Sequence, residues 1–531
     1  MILALIPYTW IAFSNSDLPQ FGKYQDDGLF LIAGKTLKDA QGYRIASLPG
    51  KPYQTKYQPL YPALLAVVWS LNGRFPENLR LFAAFEWVTF VMYLLLAWAV
   101  FRALGFSVWK SAGMFLLLAL NPWLLYWALL PISDIPFSVL LLFLFWILAR
   151  RRDDPRWWVA AGCAGALAYL TKSVGILIVP AIWLGGWRSR EWKRCLVMTA
   201  PAVATFAAWT LWASIHRTHL QQSILWYYTD YIGFHLKNGG LQALSKIFES
   251  NLGTLIGVVG NSVVYNLADS MPGRFLSVVL LAAAISGTRR LIQRTGRVEY
   301  PAFCALLIAL LLVWNFSPNA RLLAPVWPLF AMGLCAEAEH ARVLVRRAHE
   351  SLKKSDRIAA RMATAGVTLA CIYALVLNMT FLARGIPAML EQDRQWSARD
   401  RITFDWCKRE LPDAAVVLAN NDTALYLQTG LTAIRPVPNS VAFYKNDTAG
   451  ELENFTHFDG MADFFGLTHI VITPEDFGDY DARQREWIVS SLIHNPRHKR
   501  IYSAQDSTVL QIERDHSTAL GAMRLNQAPG Q

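Results

Sequence analysis

Long apolar runs recur along most of this chain, and they restrict its fold more than any other feature. The main runs cover residues 79–102, 111–130, 135–149, 157–187, 195–214, 272–288, 298–315, 321–338 and 363–383. A helix needs about 20 mostly apolar residues to cross a bilayer. The run 157–187 is too long for one crossing and is interrupted by Thr171-Lys172-Ser173, so we interpret it as two segments. With residues 1–13 as the outer part of one more helix, the pattern predicts about eleven transmembrane helices.

Composition and charge agree with a polytopic membrane protein. Hydrophobic residues make up 54% of the 531 residues, and the mean hydropathy is +0.27. The formal net charge is +12, but the basic residues cluster in short loops between apolar runs, where they act as orientation signals. No nucleic-acid partner is therefore expected. Five of the six cysteines lie in or beside apolar segments and no CxxC pair occurs, which argues against disulfides and a zinc site.

The basic loops also predict the orientation in the membrane. Arg and Lys are dense at residues 150–156, 188–194, 289–297 and 342–361. The positive-inside rule places these loops in the cytoplasm, and the alternation of crossings agrees. The parts that then face outward are residues 14–78, the turns at 134 and 172, residues 215–271 and 315–321, and everything after about 385. We expect an integral protein of the bacterial inner membrane with these parts outside the cytoplasm.

Two outward parts have a pattern of their own. In the first outer loop, residues 14–78, the stretches 29–40 and 61–71 predict amphipathic helices that lie along the membrane interface. After residue 385 the composition changes to that of a small α/β domain. Its predicted helices are residues 394–410 and 481–494, and its predicted strands are 415–419, 468–473, 501–502 and 508–512. We divide the chain into a transmembrane part, residues 1–384, and an extracytoplasmic α/β domain, residues 385–531.

Carboxylates at the outer water boundary are the first candidates for chemistry. Asp26 and Asp27 follow the first apolar segment, where burial and a neighbouring like charge favour one of them as a general base. The alternative is an Asx turn or a cap for the helix predicted from Leu29. Asp134 lies in a turn on the same side and could position an acceptor or hold a divalent cation with the first pair. Its alternative is a helix N-cap. The sequence requires no cofactor, and a divalent cation stays open as a candidate.

Basic residues on the same outward side are the second set of candidates. Lys172 breaks an apolar run, Arg321 lies at the outer end of another, and Lys56 precedes an aromatic and proline-rich stretch. Cations beside carboxylates suit a phosphate carried on a lipid. The alternative for each one is snorkelling to lipid headgroups. The sequence contains no Walker lysine loop, GxGxxG or DxD triplet, so a cytoplasmic reaction driven by a nucleotide is not supported.

Together these stretches resemble the C-type glycosyltransferase superfamily, which includes the lipid A aminoarabinose transferases and protein O-mannosyltransferases. The matching motifs are Asp26-Asp27-Gly28-Leu29-Phe30 with Gly42-Tyr43, Lys56-Tyr57-Gln58-Pro59-Leu60-Tyr61-Pro62, Ser133-Asp134-Ile135-Pro136, Thr171-Lys172-Ser173, and Asn319-Ala320-Arg321-Leu322-Leu323-Ala324-Pro325. The resemblance implies an inverting transferase that moves a sugar from a polyprenyl-phosphate donor to an acceptor hydroxyl on a lipid, glycan or protein. Departures from the usual pattern are Phe30 for Tyr, Gln58 for Pro and Lys172 for Arg.

The resemblance also implies roles for individual residues. Asp26 would be the catalytic base in preference to Asp27, and Lys56 would contact the donor phosphate. The predicted catalytic residues are then Asp26, Asp27 and Asp134, and the predicted substrate-binding residues are Lys56, Tyr57, Tyr61, Lys172 and Arg321. The rival interpretation is a lipid or solute transporter or flippase without transferase activity, which predicts a pseudo-symmetric repeat of broken helices. A sensor or scaffold acting through its outward domain is a further alternative.

Overall fold

Helices make up most of the chain, and a small sheet lies near its C-terminus. The computed structural model describes residues 2–18, 21–22, 26–150, 154–217, 231–314, 316–350, 354–436, 447–456, 458–478 and 480–513. The helices before the sheet are Ile2–Ser14 (α1), Asp26–Lys38 (α2), Leu60–Leu71 (α3), Leu79–Ala103 (α4), Val108–Ala119 (α5), Pro122–Trp127 (α6), Asp134–Arg150 (α7), Pro155–Thr171 (α8), Ile178–Ser189 (α9), Trp192–His216 (α10), Tyr231–Val263 (α11), Met271–Thr295 (α12), Glu299–Leu312 (α13), Trp327–Glu350 (α14), Lys354–Thr380 (α15) and Ile386–Glu410 (α16). Residues 151–153 of a predicted cytoplasmic loop and 218–230 of a predicted outer loop lie outside the described residues.

The apolar helices make this an integral membrane protein. Among the described residues, four helical stretches are long and apolar enough to cross a bilayer, namely Leu79–Ala103, Trp192–His216, Met271–Thr295 and part of Arg357–Glu410. Shorter apolar helices accompany them, such as Val108–Ala119 and Glu299–Leu312. The predicted number of about eleven crossings remains a prediction.

The predicted interruption at Lys172 is confirmed. Helix α8 ends at Thr171, Lys172 itself is extended with φ −153° and ψ 133°, and a 3-10 turn, Ser173–Leu177, leads into α9. An extended residue between two helices turns its side chain away from both helical faces. The ammonium group of Lys172 can therefore reach across to another helix.

The predicted outer loop, residues 215–271, contains a helix that was not predicted from the sequence. Helix α11 has 33 residues and ends near a 3-10 turn, Leu267–Asp269. Polar residues and glycines interrupt its apolar pattern, so no run of spanning length marked it.

The two predicted helices of the first outer loop are confirmed, with one shift that matters for the site. Helix α3 begins within one residue of its predicted start, whereas α2 begins at Asp26 instead of Leu29. Asp26 and Asp27 therefore lie inside the first turn of α2. Carboxylates are stabilised there by the unpaired backbone N–H groups and the positive end of the helix dipole.

The C-terminal region is an α/β domain, as predicted. The strands are Val416–Ala419 (β1), Thr432–Ile434 (β2), His469–Ile472 (β3), His498–Ala504 (β4) and Ser507–Ile512 (β5), in the order β2-β1-β3-β5-β4. Strand β1 pairs in parallel with β2 and β3, whereas β5 is antiparallel to β3 and β4. The helices are Asp422–Thr429 (α17), Thr448–Thr456 (α18), Phe458–Phe465 (α19) and Ala482–Ile493 (α20). Strand β2 and the helices α17, α18 and α19 were not predicted from the sequence, because elements of three to nine residues are too short to show a hydrophobic period.

The first outer loop and the C-terminal domain share a hydrophobic core. Leu29 of α2 packs in one cluster with Leu418 of β1, and Phe30 and Leu31 pack in another with Phe404 and Val417. The backbone also joins them, because the Ala433 N–H donates to the Ser47 carbonyl oxygen at 2.8 Å. The helix that carries Asp26 is thus held by the domain at the other end of the chain.

Glycine at position 28 makes this approach sterically possible. A Cβ atom at Gly28 would lie 2.0 Å from Thr423 Oγ1 and 2.4 Å from Thr423 Cβ. Both distances are far below van der Waals contact, so any larger residue would push α17 away from the first turn of α2.

We predict that Gly28→Ala destabilises the protein by about 1–3 kcal/mol because it overpacks this contact. Combining it with Thr423→Gly should recover part of the loss, since the obstructing side chain is then gone. Thermal unfolding of the two single variants and the double variant in one detergent measures the coupling. Additive effects of the two substitutions would contradict the predicted contact.

Candidate active site at one end of the helices

The first turn of α2 presents two carboxylates with different accessibility. Asp27 is fully buried, with 0% of its surface exposed, whereas the Asp26 side chain is 26% exposed. Only Asp26 can therefore be reached by a substrate without moving the helix.

Arg321 pairs with Asp26 although the two residues are far apart in sequence. Arg321 Nη2 donates to Asp26 Oδ2 at 3.1 Å. The arginine lies on a 3-10 turn, Ala320–Leu323, between α13 and α14, and its side chain is 14% exposed. Burial acts to lower the Arg321 pKa, but the charges of Asp26 and then Asp134 outweigh it and raise that pKa above its ordinary value. The guanidinium is thus charged and close to two of the predicted acids.

Asp134 and Lys172 form a second ion pair beside the first. Asp134 is the first residue of α7 and only 5% of its side chain is exposed, while that of Lys172 is 21% exposed. The Lys172 ammonium contacts Asp134 Oδ1 directly. Snorkelling to headgroups therefore does not describe Lys172 or Arg321 in this structure, because each cation reaches inward to a carboxylate.

The loop that carries Lys56 is shaped by hydrogen bonds to its backbone. The Tyr43 hydroxyl donates to the carbonyl oxygens of Tyr57 and Gln58 at 3.0 and 3.2 Å. Gln54 Oε1 accepts from the Lys56 N–H at 3.0 Å. The turn before Tyr43 requires glycine, because Gly42 has φ +82°. The Gly42-Tyr43 motif thus has a structural task, which is to hold the Lys56-Tyr57 segment against the site.

Lys56 lies in the same charged environment. Its Nζ atom is 4.9 Å from the centre of the Tyr57 ring. Burial lowers the pKa of Lys56 to about 8; the Asp26 carboxylate acts to raise it, and the Arg321 guanidinium lowers it further. Lys56 therefore shares its electrostatic neighbourhood with the Asp26–Arg321 pair.

The site includes one buried acid that sequence analysis missed. The Tyr61 hydroxyl donates to Glu86 Oε1 at 2.6 Å, and Tyr61 and Glu86 are 0% and 3% exposed. Burial raises the pKa of the Tyr61 hydroxyl, as do the negative charges of Glu86, Asp134 and Asp27. The signal available in the sequence was a lone glutamate inside an apolar run, a position that is costly without a partner.

All eight predicted site residues come together at one end of the helices. Asp26, Asp27, Asp134, Lys56, Tyr57, Tyr61, Lys172 and Arg321 are joined by the contacts and charge interactions above. Within the described ranges, no group of three or more His, Cys, Asp or Glu side chains has the arrangement of a metal site. The cation beside Asp134 in this structure is an ammonium group. The chemical roles of these residues remain predictions.

We predict that Lys172→Met costs roughly 3 kcal/mol of stability, because it leaves the buried Asp134 carboxylate without its cation. The double variant Asp134→Asn/Lys172→Met should be more stable than Lys172→Met alone. Lys172→Arg, which retains the charge, is the matched control. Unfolding of the wild type, Lys172→Met, Asp134→Asn and the double variant in the same detergent gives the pairwise energy. A Lys172→Met variant as stable as Lys172→Arg would contradict the pairing.

Comparison with known proteins shows the fold. No family model and no curated sequence matches the chain. Among solved structures, ArnT from Cupriavidus metallidurans bound to undecaprenyl phosphate has a TM-score of 0.60 at 13% identity, covering 96% of this chain and 97% of that one. Its apo state has a TM-score of 0.56 at 14% identity with the same coverage. AglB, the oligosaccharyltransferase of Archaeoglobus fulgidus in complex with an inhibitory peptide and a dolichol-phosphate, has a TM-score of 0.54 at 13% identity, covering 88% and 68%. This chain therefore has the GT-C fold, the fold of the C-type glycosyltransferase superfamily that its sequence resembles.

Proposed function

We propose that this protein is an inverting glycosyltransferase that moves a sugar from a polyprenyl-phosphate donor to an acceptor hydroxyl outside the cytoplasm. The observation that carries the proposal is the Asp26–Arg321 pair at 3.1 Å with Lys56 in the same electrostatic neighbourhood. A partly accessible carboxylate beside two cations suits a reaction in which a hydroxyl loses a proton and a phosphate ester departs.

The reaction balances in a single displacement. The acceptor oxygen attacks the anomeric carbon of the donor sugar and forms the new glycosidic bond. The bond between that carbon and the phosphate oxygen breaks, and its electron pair leaves with the polyprenyl phosphate. The hydroxyl proton passes to Asp26, which is 26% exposed and thus open to an acceptor. One displacement inverts the configuration at the anomeric carbon.

The cations stabilise the charge that builds up on the leaving phosphate. Arg321 offers a planar fork of N–H donors, and Lys56 adds a compact positive charge from the neighbouring loop. A phosphate leaves as an anion without needing a proton, so no second carboxyl group has to act as an acid. A two-step route through a carboxylate nucleophile would instead retain the configuration, so the anomeric configuration of the product distinguishes the two routes.

Two of the structures similar to this chain contain polyprenyl-type phosphates. ArnT was solved with undecaprenyl phosphate and AglB with a dolichol-phosphate. Likeness of fold at this identity does not carry a substrate across by itself, but it agrees with a lipid-phosphate donor. The proposed location is the bacterial inner membrane with the site facing outward, which rests on the distribution of basic loops.

We predict that Asp26→Asn lowers kcat for sugar transfer by about 10²- to 10⁴-fold, because the amide cannot accept the acceptor proton. The purified protein is incubated with radiolabelled polyprenyl-phosphate sugars and a panel of hydroxyl acceptors. Asp39→Asn is the matched control, since Asp39 directly follows α2 and pairs with Lys35 and Lys38 away from the site. Transfer by Asp26→Asn at the control rate would exclude Asp26 as the base.

We predict that kcat/KM for the donor falls as the pH rises through about 8, the pKa to which burial lowers Lys56. Below that pKa Lys56 is an ammonium ion and can bind the donor phosphate, whereas above it the neutral amine cannot. Lys56→Arg should move the fall to higher pH, because a guanidinium stays protonated until above about pH 12.

The measurement is kcat/KM for a labelled polyprenyl-phosphate sugar over roughly pH 6 to 10, which reports ionisation in the free enzyme. Lys51→Arg, an exposed residue of the same loop, controls for the change of residue type. An unchanged alkaline limb in Lys56→Arg would show that another group titrates.

A further inference from the structure

Glu86 lies in an environment that a carboxyl group rarely occupies. It is the only acidic residue of helix α4, a stretch long and apolar enough to cross a bilayer, and it is 3% exposed. A carboxyl group at such a position is costly unless it has a hydrogen-bond partner. Tyr61 supplies the partner, with its hydroxyl 2.6 Å from Glu86 Oε1.

A continuous series of aromatic contacts leads from Tyr61 to the candidate phosphate site. The Tyr61 ring meets the Phe30 ring edge to face, with centroids 5.1 Å apart. The Phe30 ring in turn packs against the Tyr57 ring, with centroids 4.8 Å apart. Lys56 Nζ lies over the Tyr57 ring, 4.9 Å from its centroid. Phe30 also follows Asp26 by four residues, which is one turn of α2. One aromatic series therefore touches both the helix of the proposed base and the loop of the proposed phosphate ligand.

The Glu86–Tyr61 hydrogen bond joins two layers of the structure. Helices α2 and α3 are linked to each other by their own contacts, including a hydrogen bond from Trp69 Nε1 to the Leu31 carbonyl oxygen at 3.0 Å. Glu86 belongs to the long apolar helix α4, so its hydrogen bond to Tyr61 connects the pair α2 and α3 to that helix. Aromatic pairs tolerate a range of centroid distances and offsets, whereas a hydrogen bond at 2.6 Å restricts more closely where the Tyr61 ring can lie.

We propose that Glu86 is a positioning residue for the donor-phosphate site, acting through Tyr61, Phe30 and Tyr57 on Lys56. The inference rests on the proposed function and deepens it. Glu86 does not exchange a proton with substrate in this scheme. Its carboxyl group fixes the Tyr61 ring, and the aromatic series holds the Lys56 loop at the distance from α2 that a phosphate needs.

The test measures binding of undecaprenyl phosphate alone, which requires no turnover. Tyr61→Phe removes only the hydroxyl, and Glu86→Leu removes the acceptor. Both should raise the Kd for undecaprenyl phosphate about tenfold, because displacement of a positioning contact by a fraction of an ångström weakens a site of this kind. Glu86→Gln retains an oxygen that accepts from Tyr61 and should restore the affinity to within about twofold of the wild type.

Thr89→Val is the matched control. Thr89 is a buried polar residue of the same helix, and its hydroxyl bonds to the Phe85 carbonyl oxygen one turn away. This variant tests whether removal of any buried polar group from α4 weakens the binding of undecaprenyl phosphate. A purely structural role of Glu86 predicts fewer folded molecules with an unchanged Kd, so the Kd per folded molecule separates positioning from stability.

The possible outcomes separate this inference from the proposed function. Weakened binding in Tyr61→Phe with recovery in Glu86→Gln supports it. Wild-type affinity in Tyr61→Phe, or equal weakening in Thr89→Val, overturns it and leaves the proposed transferase intact. Wild-type protein that binds no undecaprenyl phosphate and releases sugar from no polyprenyl-phosphate donor overturns the proposed function and this inference with it. If Glu86→Leu does not fold, Tyr61→Phe carries the same expectation with a smaller change.

Discussion

Ion pairs between charged side chains from different parts of the chain organise the candidate site. Asp26 pairs with Arg321 at 3.1 Å, and Asp134 pairs with Lys172. In both pairs the carboxylate and the cation come from different parts of the chain. Charges of this kind are costly in an apolar setting and are retained where they do chemistry or join helices. Here the two ion pairs join α2 to the turn before α14, and α7 to the break after α8. The ends of these helices that carry the candidate site are thereby brought together.

The C-terminal domain takes part in the same arrangement. Its sheet and α17 share hydrophobic clusters with α2 and α3. Thr423 of α17 lies so close to Gly28 of α2 that no side chain fits at position 28. A domain that only bound or presented an acceptor would not need this contact. The packing instead indicates that the domain also holds the proposed base in place, which agrees with a helix of 13 residues that is too short to be stable alone.

Prediction from the sequence succeeded for features that depend on a residue and its neighbours in the chain, such as helix breaks, amphipathic helices and the longer strands. Lys172 interrupts an apolar run too long for one crossing, and the helix ends there in the structure. Amphipathic stretches became α2 and α3, and the longer strands of the C-terminal domain appeared where β-branched and apolar residues alternate with turns. Prediction failed for β2, α17, α18 and α19, which are too short to show a hydrophobic period. It also failed for α11, whose polar residues hide its helical pattern. The roles of the site residues and the number of crossings remain predictions.

The sequence by itself determined that this is a membrane protein with a C-terminal α/β domain, because hydropathy and periodicity are local properties that neighbouring residues share. The sequence also identified charged residues that lie within or beside apolar runs, where an unpaired charge is costly. Only the tertiary structure decided which of these residues contact one another. Asp26 pairs with Arg321 at a separation of 295 residues, and Glu86 accepts a hydrogen bond from Tyr61. Such contacts depend on how helices pack against one another, and that packing is the sum of many weak interactions between residues far apart in the chain.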